Sequence, residues 1–288
     1  MLGRIGRFLY STAQSVFTED FLGLSAEMAF YTIFSFFPFL IFVVSLFSIF
    51  GSASLVHSIL MHFAPIIPGY LHEYIIGMMR EILINYNGGF LTITFVVAML
   101  IASNALFAVI KGLNRAYHLE ETRPLWYTRL LSVALLFLNA LVIFVGTNTI
   151  VFGKIIMSYI TSLNIIPECT LALISIFRWP FIFFALYAVF FVNYYFMPNI
   201  KGHKRAKFFA AIPGTFFFCC AWIVSSWLFS VYLSHINMYN KFFGAMGVFA
   251  IFLIWLYYTS FILLLGGEIN SRFFEKLKDA KKPLKTII

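Results

Sequence analysis

Charge is scarce in this sequence: of 288 residues only 11% are Asp, Glu, Lys or Arg, while 62% are hydrophobic. Soluble domains carry about 25% charged and about 45–50% apolar residues. A chain of this size still exposes much of its surface when folded, so a water-soluble fold could not hide the excess. The composition therefore excludes a soluble class and points to lipid as the solvent for the surplus. Cysteine is equally sparse. Cys169, Cys219 and Cys220 form no Cys-x-x-Cys or Cys/His ligand spacing, which removes a disulfide framework, a zinc site and a dithiol redox motif as readings. Gly-x-Ser-x-Gly and phosphate-cradling loops are missing too. A cleavable signal peptide is not expected, because the first uncharged apolar run, Met28 to Phe50, has 23 residues against about 7–15 for a signal core.

What the chain has instead is long apolar runs. A helix needs about 20 mostly apolar residues to cross a bilayer, and six runs of that order are present. They predict an all-α integral membrane protein, a single domain over 1–288, with spans at about 24–50, 88–110, 130–153, 171–198, 208–234 and 242–267. Lys and Arg collect in cytoplasmic loops. Sixteen of the twenty basic residues fall before the first span, in the second and fourth loops, or in the basic tail 271–288. Three fall on the opposite side, and Arg178 lies inside a span. This alternation places both termini in the cytoplasm. It also makes the net charge of +9 a topology signal that favours anionic lipid. Membrane lipids are thus the expected partners and nucleic acid is not; the Gly-rich start of the sixth span (Gly244, Gly247) leaves room for a homo-oligomer.

Residues 51–87 are too long for a turn and too polar for a span. Ile67, Tyr70, Leu71, Tyr74, Ile75, Met78 and Ile82 recur at three- and four-residue steps, the pattern of an amphipathic helix lying at the outer interface or folded over the bundle. The N-terminal stretch Ile5–Phe17 is a weaker candidate for the same role inside the cell.

Order and spacing of short motifs then resemble a known family. Phe30 to Pro38 (FYTIFSFFP) is similar to the first-span signature of the YihY/BrkB family of bacterial inner-membrane proteins. Gly112 to Tyr117 with Arg123-Pro124 resembles its second-loop motif, and Arg178-Trp179-Pro180 with Tyr195 to Asn199 its fourth span and exit. Pro213-Gly214, the stretch from Trp222 to Tyr232 and Leu264 to Asn270 complete the match. Phe243-Gly244-Ala245 stands where the family usually has Tyr-Gly-Ser, and Gly267 where it usually has Ala. The resemblance implies a six-span protein of the bacterial inner membrane, described as virulence-associated or as a transport protein. It names no substrate. It marks Pro38, Asn114, Pro180, Pro213, Gly214, Gly266, Gly267 and Glu268 as structural motif positions.

The family also carries an older ribonuclease label. A metal-dependent nuclease needs carboxylates and histidines converging on its ions. The loops hold Glu120, Glu121, His118 and His203 without an HxH or DxD pattern, and the Glu120-Glu121 pair reads as a solvated loop face. His57, His62 and His72 do not share a helical face. No enzyme, cofactor or metal site is expected.

Ionisable groups at membrane depth are costly and mark functional candidates. Arg178 sits in the fourth span, to hold an anionic group or pair with backbone carbonyls. Glu27, beside Tyr31, opens the first span as a gate or as a favourable carboxylate in a first turn. Glu268 ends the sixth, with Arg272 four residues on in the order for a helical ion pair. Asn104, Asn139 and Asn193 lie deep in consecutive spans and either line a polar path or hydrogen-bond helices together. Translocation of an amphiphilic, lipid-like substrate expects a cavity lined by Arg178, Asn104 and Asn139; a structural or partner-docking protein expects these groups paired among themselves. Phe37 to Phe42 resembles Trp179 to Phe184 in spans of opposite direction, as an inverted repeat would.

Overall fold

A computed structural model describes residues 10–12, 14–50, 77, 88–142, 168–235 and 239–279. Among them every regular element is helical. After short helical stretches at 10–12 and 14–18, called below the N-terminal helix, come α1 (Phe21–Phe50), α2 (Gly88–Ala116), α3 (Leu125–Val142), α4 (Glu168–Phe196), α5 (Lys204–His235) and α6 (Tyr239–Asp279). Four described stretches are long and apolar enough to cross a membrane: Phe95–Ala116, Leu125–Val142, Lys204–Tyr232 and Phe249–Asp279. Shorter apolar stretches, Phe21–Phe36 and Ile182–Phe196, lie in α1 and α4. The segment 51–87, read above as an amphipathic helix, lies outside the described residues except for Gly77.

One buried cluster draws on all six helices, through residues such as Met28, Leu113, Leu135, Tyr194, Phe218 and Leu264. Helix α1 packs on α2 and α6, and α5 packs on α4 and α6. Among the described residues more large hydrophobic side chains are exposed than buried: Phe34, Ile93, Phe184, Phe216 and Trp227 are all more than half exposed. Apolar surface on this scale would be an aggregation hazard in water and is the ordinary condition of a bundle in lipid.

Helices outrun the apolar runs at one end. Helix α2 continues to Ala116 and α6 to Asp279, past the points where hydropathy falls. Hydropathy marks where lipid ends; the helix itself persists as long as its backbone bonds and a packed face support it. The start of α1, the end of α2, the start of α3, the end of α4, the start of α5 and the end of α6 meet at this end, tied by the contacts described next.

Candidate functional site at the basic end of the bundle

The turn that ends α2 places its side chains with a tight cap. Leu119 N donates to Asn114 O and His118 N to Arg115 O, both at 2.8 Å, the paired bonds of a Schellman cap. His118 occupies the left-handed position with φ 52°, where histidine is tolerated better than most side chains. The turn holds the His118 ring between two carboxylates. Nδ1 lies 3.0 Å from Glu19 Oε1, and Nε2 lies 3.4 Å from Glu268 Oε2. The second approach is a contact and not a hydrogen bond, because Oε2 of Glu268 has no hydrogen-bond partner among the described residues. Glu268 is 1% exposed. Its other oxygen accepts from Arg272 Nε at 2.7 Å, the helical pair expected from their spacing. Arg272 also donates to Ser11 and, at 3.2 Å, to Ser15. Arg115 Nε approaches Glu19 at 3.8 Å. The short N-terminal helix, the end of α2 and the end of α6 are thereby one polar unit.

A second lock joins the two loops. Asn114 is buried and faces both: Nδ2 donates to Glu121 Oε2 at 2.7 Å, and Oδ1 accepts from Asn199 N at 2.8 Å. Asn199 Nδ2 donates to Glu120 O and Thr122 Oγ1, both at 2.9 Å. Arg123 binds Glu121 through Nε (2.7 Å) and one terminal nitrogen (2.6 Å), and the same nitrogen donates to Met197 O at 2.8 Å. Arg123 thus caps the C-terminus of α4, where free carbonyls favour a cation. Glu120 and Glu121 are both exposed, and Glu121 is in addition tied to Asn114 and Arg123.

Burial raises the Glu121 pKa, but the side-chain bond, backbone bond and charge of Arg123, with the Asn114 amide, outweigh it and hold the carboxyl below its usual range. A depressed carboxylate contributes stability that is present above its unfolded pKa and lost as pH falls through the folded one. The loop contacts are expected to weaken below about pH 4, where ordinary carboxylates protonate. Hydrogen exchange across residues 114–124 should report this loss in the native chain and a flatter acid response in Glu121→Gln.

Behind these locks the helices touch backbone to backbone. A Cβ on Gly214 would sit 2.0 Å from Gly266 O and 2.5 Å from the Asn270 side chain. Asn270 Oδ1 accepts from Gly214 N at 2.6 Å, just after Pro213 inside α5. On Gly266 a Cβ would meet the Tyr194 hydroxyl at 2.3 Å; that hydroxyl donates to Leu263 O at 2.7 Å. Tyr117 is buried beside Asn270, and burial pushes its phenol far above the usual range. Gly267 faces softer neighbours, Leu113 Cδ2 at 2.9 Å and Ala116 Cβ at 3.2 Å.

The membrane-depth candidates are distributed as follows. Glu27 pairs with Lys111 of α2 at 2.7 Å on a partly exposed surface. Tyr31 is exposed, its ring edge-on to Phe30. Asn104 Oδ1 and Ser103 Oγ accept from Arg129 of α3 at 2.7 and 3.1 Å, and the guanidinium lies over Phe107. Asn139 and Asn193 face each other across α3 and α4: Asn193 Nδ2 donates to Asn139 Oδ1 at 3.0 Å, and the reciprocal contact is 3.4 Å. Asn139 also donates to Leu135 O at 2.7 Å. Pro38 and Pro180 lie inside α1 and α4. The Arg178 side chain is outside the described residues. The structure brings Asn139 to Asn193, Asn114 to Glu121 and Gly214 to Gly266. It gives Asn104 a partner, Arg129, that sequence reasoning did not name. Glu19 was also missed, and no local signal marks it, since its partner His118 is 99 residues away.

These groups form charge pairs and amide pairs, and among the described residues no three His, Cys, Asp or Glu side chains are grouped to hold a metal ion. Comparison with known proteins gives the kinship. The family described as "Virulence factor BrkB" matches residues 13–286. The chain is 32% identical over 255 residues to a Bacillus subtilis protein named ribonuclease-like protein YfkH, covering 88% of this chain and 90% of that one. It is 26% identical over 270 residues to a UPF0761 membrane protein of Alteromonas mediterranea, covering 91% and 86%, and 30% identical over 175 residues to one of Pseudoalteromonas atlantica, covering 61% and 54%. No solved structure matches. The ribonuclease name belongs to the Bacillus relative, whereas the other two relatives are named as membrane proteins. On a match that runs almost end to end, this chain is an all-α membrane protein belonging to the BrkB family.

Proposed function

We propose that this protein is a non-enzymatic, six-span protein of the bacterial cytoplasmic membrane, with both termini inside, whose bundle serves a structural or partner-docking role. The observation that carries this reading is the mutual pairing of Asn139 with Asn193 and of Asn104 with Arg129. Polar groups held to one another across helices act as glue, each bond worth roughly 0.6–2 kcal/mol in lipid. The basic residues at the gathered end support the inward orientation.

A second reading has its own support. Arg129, Ser103, Asn104, Asn139 and Asn193 make a polar seam along α2, α3 and α4, which could open to pass the headgroup of an amphiphilic, lipid-like substrate. Reconstitution in vesicles holding a fluorescent phospholipid separates the two. The structural reading expects a membrane-impermeant quencher to bleach only the outer leaflet, with and without protein. Bleaching of both leaflets that disappears in Asn139→Leu would overturn it. A double-mutant cycle over Asn139→Leu and Asn193→Leu should show a coupling of roughly 0.5–1.5 kcal/mol by thermal unfolding in detergent; additive losses would remove the pair as glue.

A further inference from the structure

We propose that the N-terminal helix (residues 10–12 and 14–18) is an in-plane strap, its outer face seated in the phospholipid headgroup region at the basic end of the bundle. This rests on the reading that the bundle spans a membrane with that end at its surface. The helix is sharply two-sided. Ser11, Thr12, Ser15 and Val16 turn toward the bundle, with Ser11 and Ser15 bound by Arg272 and Val16 packed on the central cluster. Tyr10, Gln14, Phe17 and Thr18 turn away, and the two aromatics are 75% and 76% exposed.

Positions 10, 14, 17 and 18 form one helical face. Two large aromatics set among Gln and Thr is the composition of a surface that is half wet and half apolar. A soluble partner is the weaker fit, because the same end of the bundle exposes further large apolar side chains. Leu22 is exposed at the start of α1, and Leu125, Trp126 and Tyr127 are exposed at the start of α3, as in the aromatic belts at membrane–water boundaries. Charge agrees as well. Arg4 and Arg7 precede the strap, and exposed Arg115, Lys201, Lys204 and Arg205 stand at the same end. Such a surface is attracted to anionic headgroups. The tie through Arg272 and the Glu19–His118–Glu268 contacts fixes the height at which the strap lies.

The test is a nitroxide at Gln14→Cys, which leaves both aromatics in place, in the full chain with its three native cysteines replaced by alanine. The protein is reconstituted in phosphatidylethanolamine–phosphatidylglycerol nanodiscs, and collision with oxygen is compared with collision with a water-soluble nickel chelate. The ratio of oxygen to nickel accessibility at position 14 is expected to exceed that at Lys201→Cys several-fold, as for a site about 5–10 Å into the boundary. Adding Tyr10→Ser and Phe17→Ser should return it to the Lys201→Cys value. High nickel access at position 14 would overturn the proposal, and so would protection from both reagents, which would mean that protein covers this face. A label at Phe216→Cys, on the exposed flank of α5, reads the spanning assignment separately: low oxygen access there sinks that assignment itself.

Discussion

Alanine at Gly214 is expected to cost this protein about 2–3 kcal/mol or more, the range for forcing atoms into a packed core. The added Cβ would sit 2.0 Å from Gly266 O, and the obstacle is backbone, which no rotamer change can clear. It would also press on Asn270 at 2.5 Å, so the bond from Gly214 N to Asn270 would be lost in the same step. Alanine gains about 1 kcal/mol over glycine as a helix former, too little to offset that clash. Gly267→Ala is the control. There the Cβ meets the end of a flexible Leu113 side chain at 2.9 Å and Ala116 Cβ at 3.2 Å. Leu113 can turn aside, and the propensity gain then leaves a net change under about 1 kcal/mol. This agrees with the alanine that the family usually carries at that position. Thermal unfolding in one detergent should separate the two variants by many degrees, and equal losses would remove the backbone contact as the reason for glycine at 214.

That contrast shows what the sequence could and could not disclose. Gly214 and Gly266 carried a family signature, but their opposition across α5 and α6 joins positions 52 residues apart and has no local trace. The Glu268–Arg272 pair was legible because four-residue spacing on a helix is itself a contact rule. Glu19 with His118 and Asn139 with Asn193 were not, since helix order sets the neighbours and helix phase sets the facing residue. Asn139 and Asn193 could be named from sequence as polar groups at depth, with path and glue both open. The helix ends at Ala116 and Asp279 were not legible for a different reason: an apolar run sets a span at about 88–110 or 242–267, whereas a helix continues as far as its backbone bonds and packed face support it. Composition reads the Glu120-Glu121 pair as solvated, and both residues are exposed; what composition does not show is that a cap on α4 recruits Arg123, and Arg123 recruits Glu121.

Glutamine at Glu268 is expected to be the other large loss. The carboxylate is 1% exposed, bound to Arg272 through one oxygen and facing His118 with the other. Removing one member of a buried pair costs about 3–5 kcal/mol, because the remaining charge keeps its desolvation penalty without its partner. The Arg272 side chain retains 20% exposure, so it recovers part of that from water, and about 2–4 kcal/mol is the expected range. Glu27→Gln supplies the comparison. Its pair with Lys111 is as short, but the two side chains are 33% and 57% exposed, and a surface pair contributes under about 1 kcal/mol. The two variants remove the same chemical group from pairs of the same length, and burial is the main variable that differs. Glu268→Gln carries a further consequence that Glu27→Gln lacks. Arg272 is also the donor to Ser11 and Ser15, so loosening it should free the N-terminal helix, seen as faster hydrogen exchange over residues 10–20 at a temperature where α2 and α5 remain protected. If Glu268→Gln unfolds no earlier than Glu27→Gln and leaves exchange at 10–20 unchanged, the carboxylate is not what joins the N-terminal helix to the bundle.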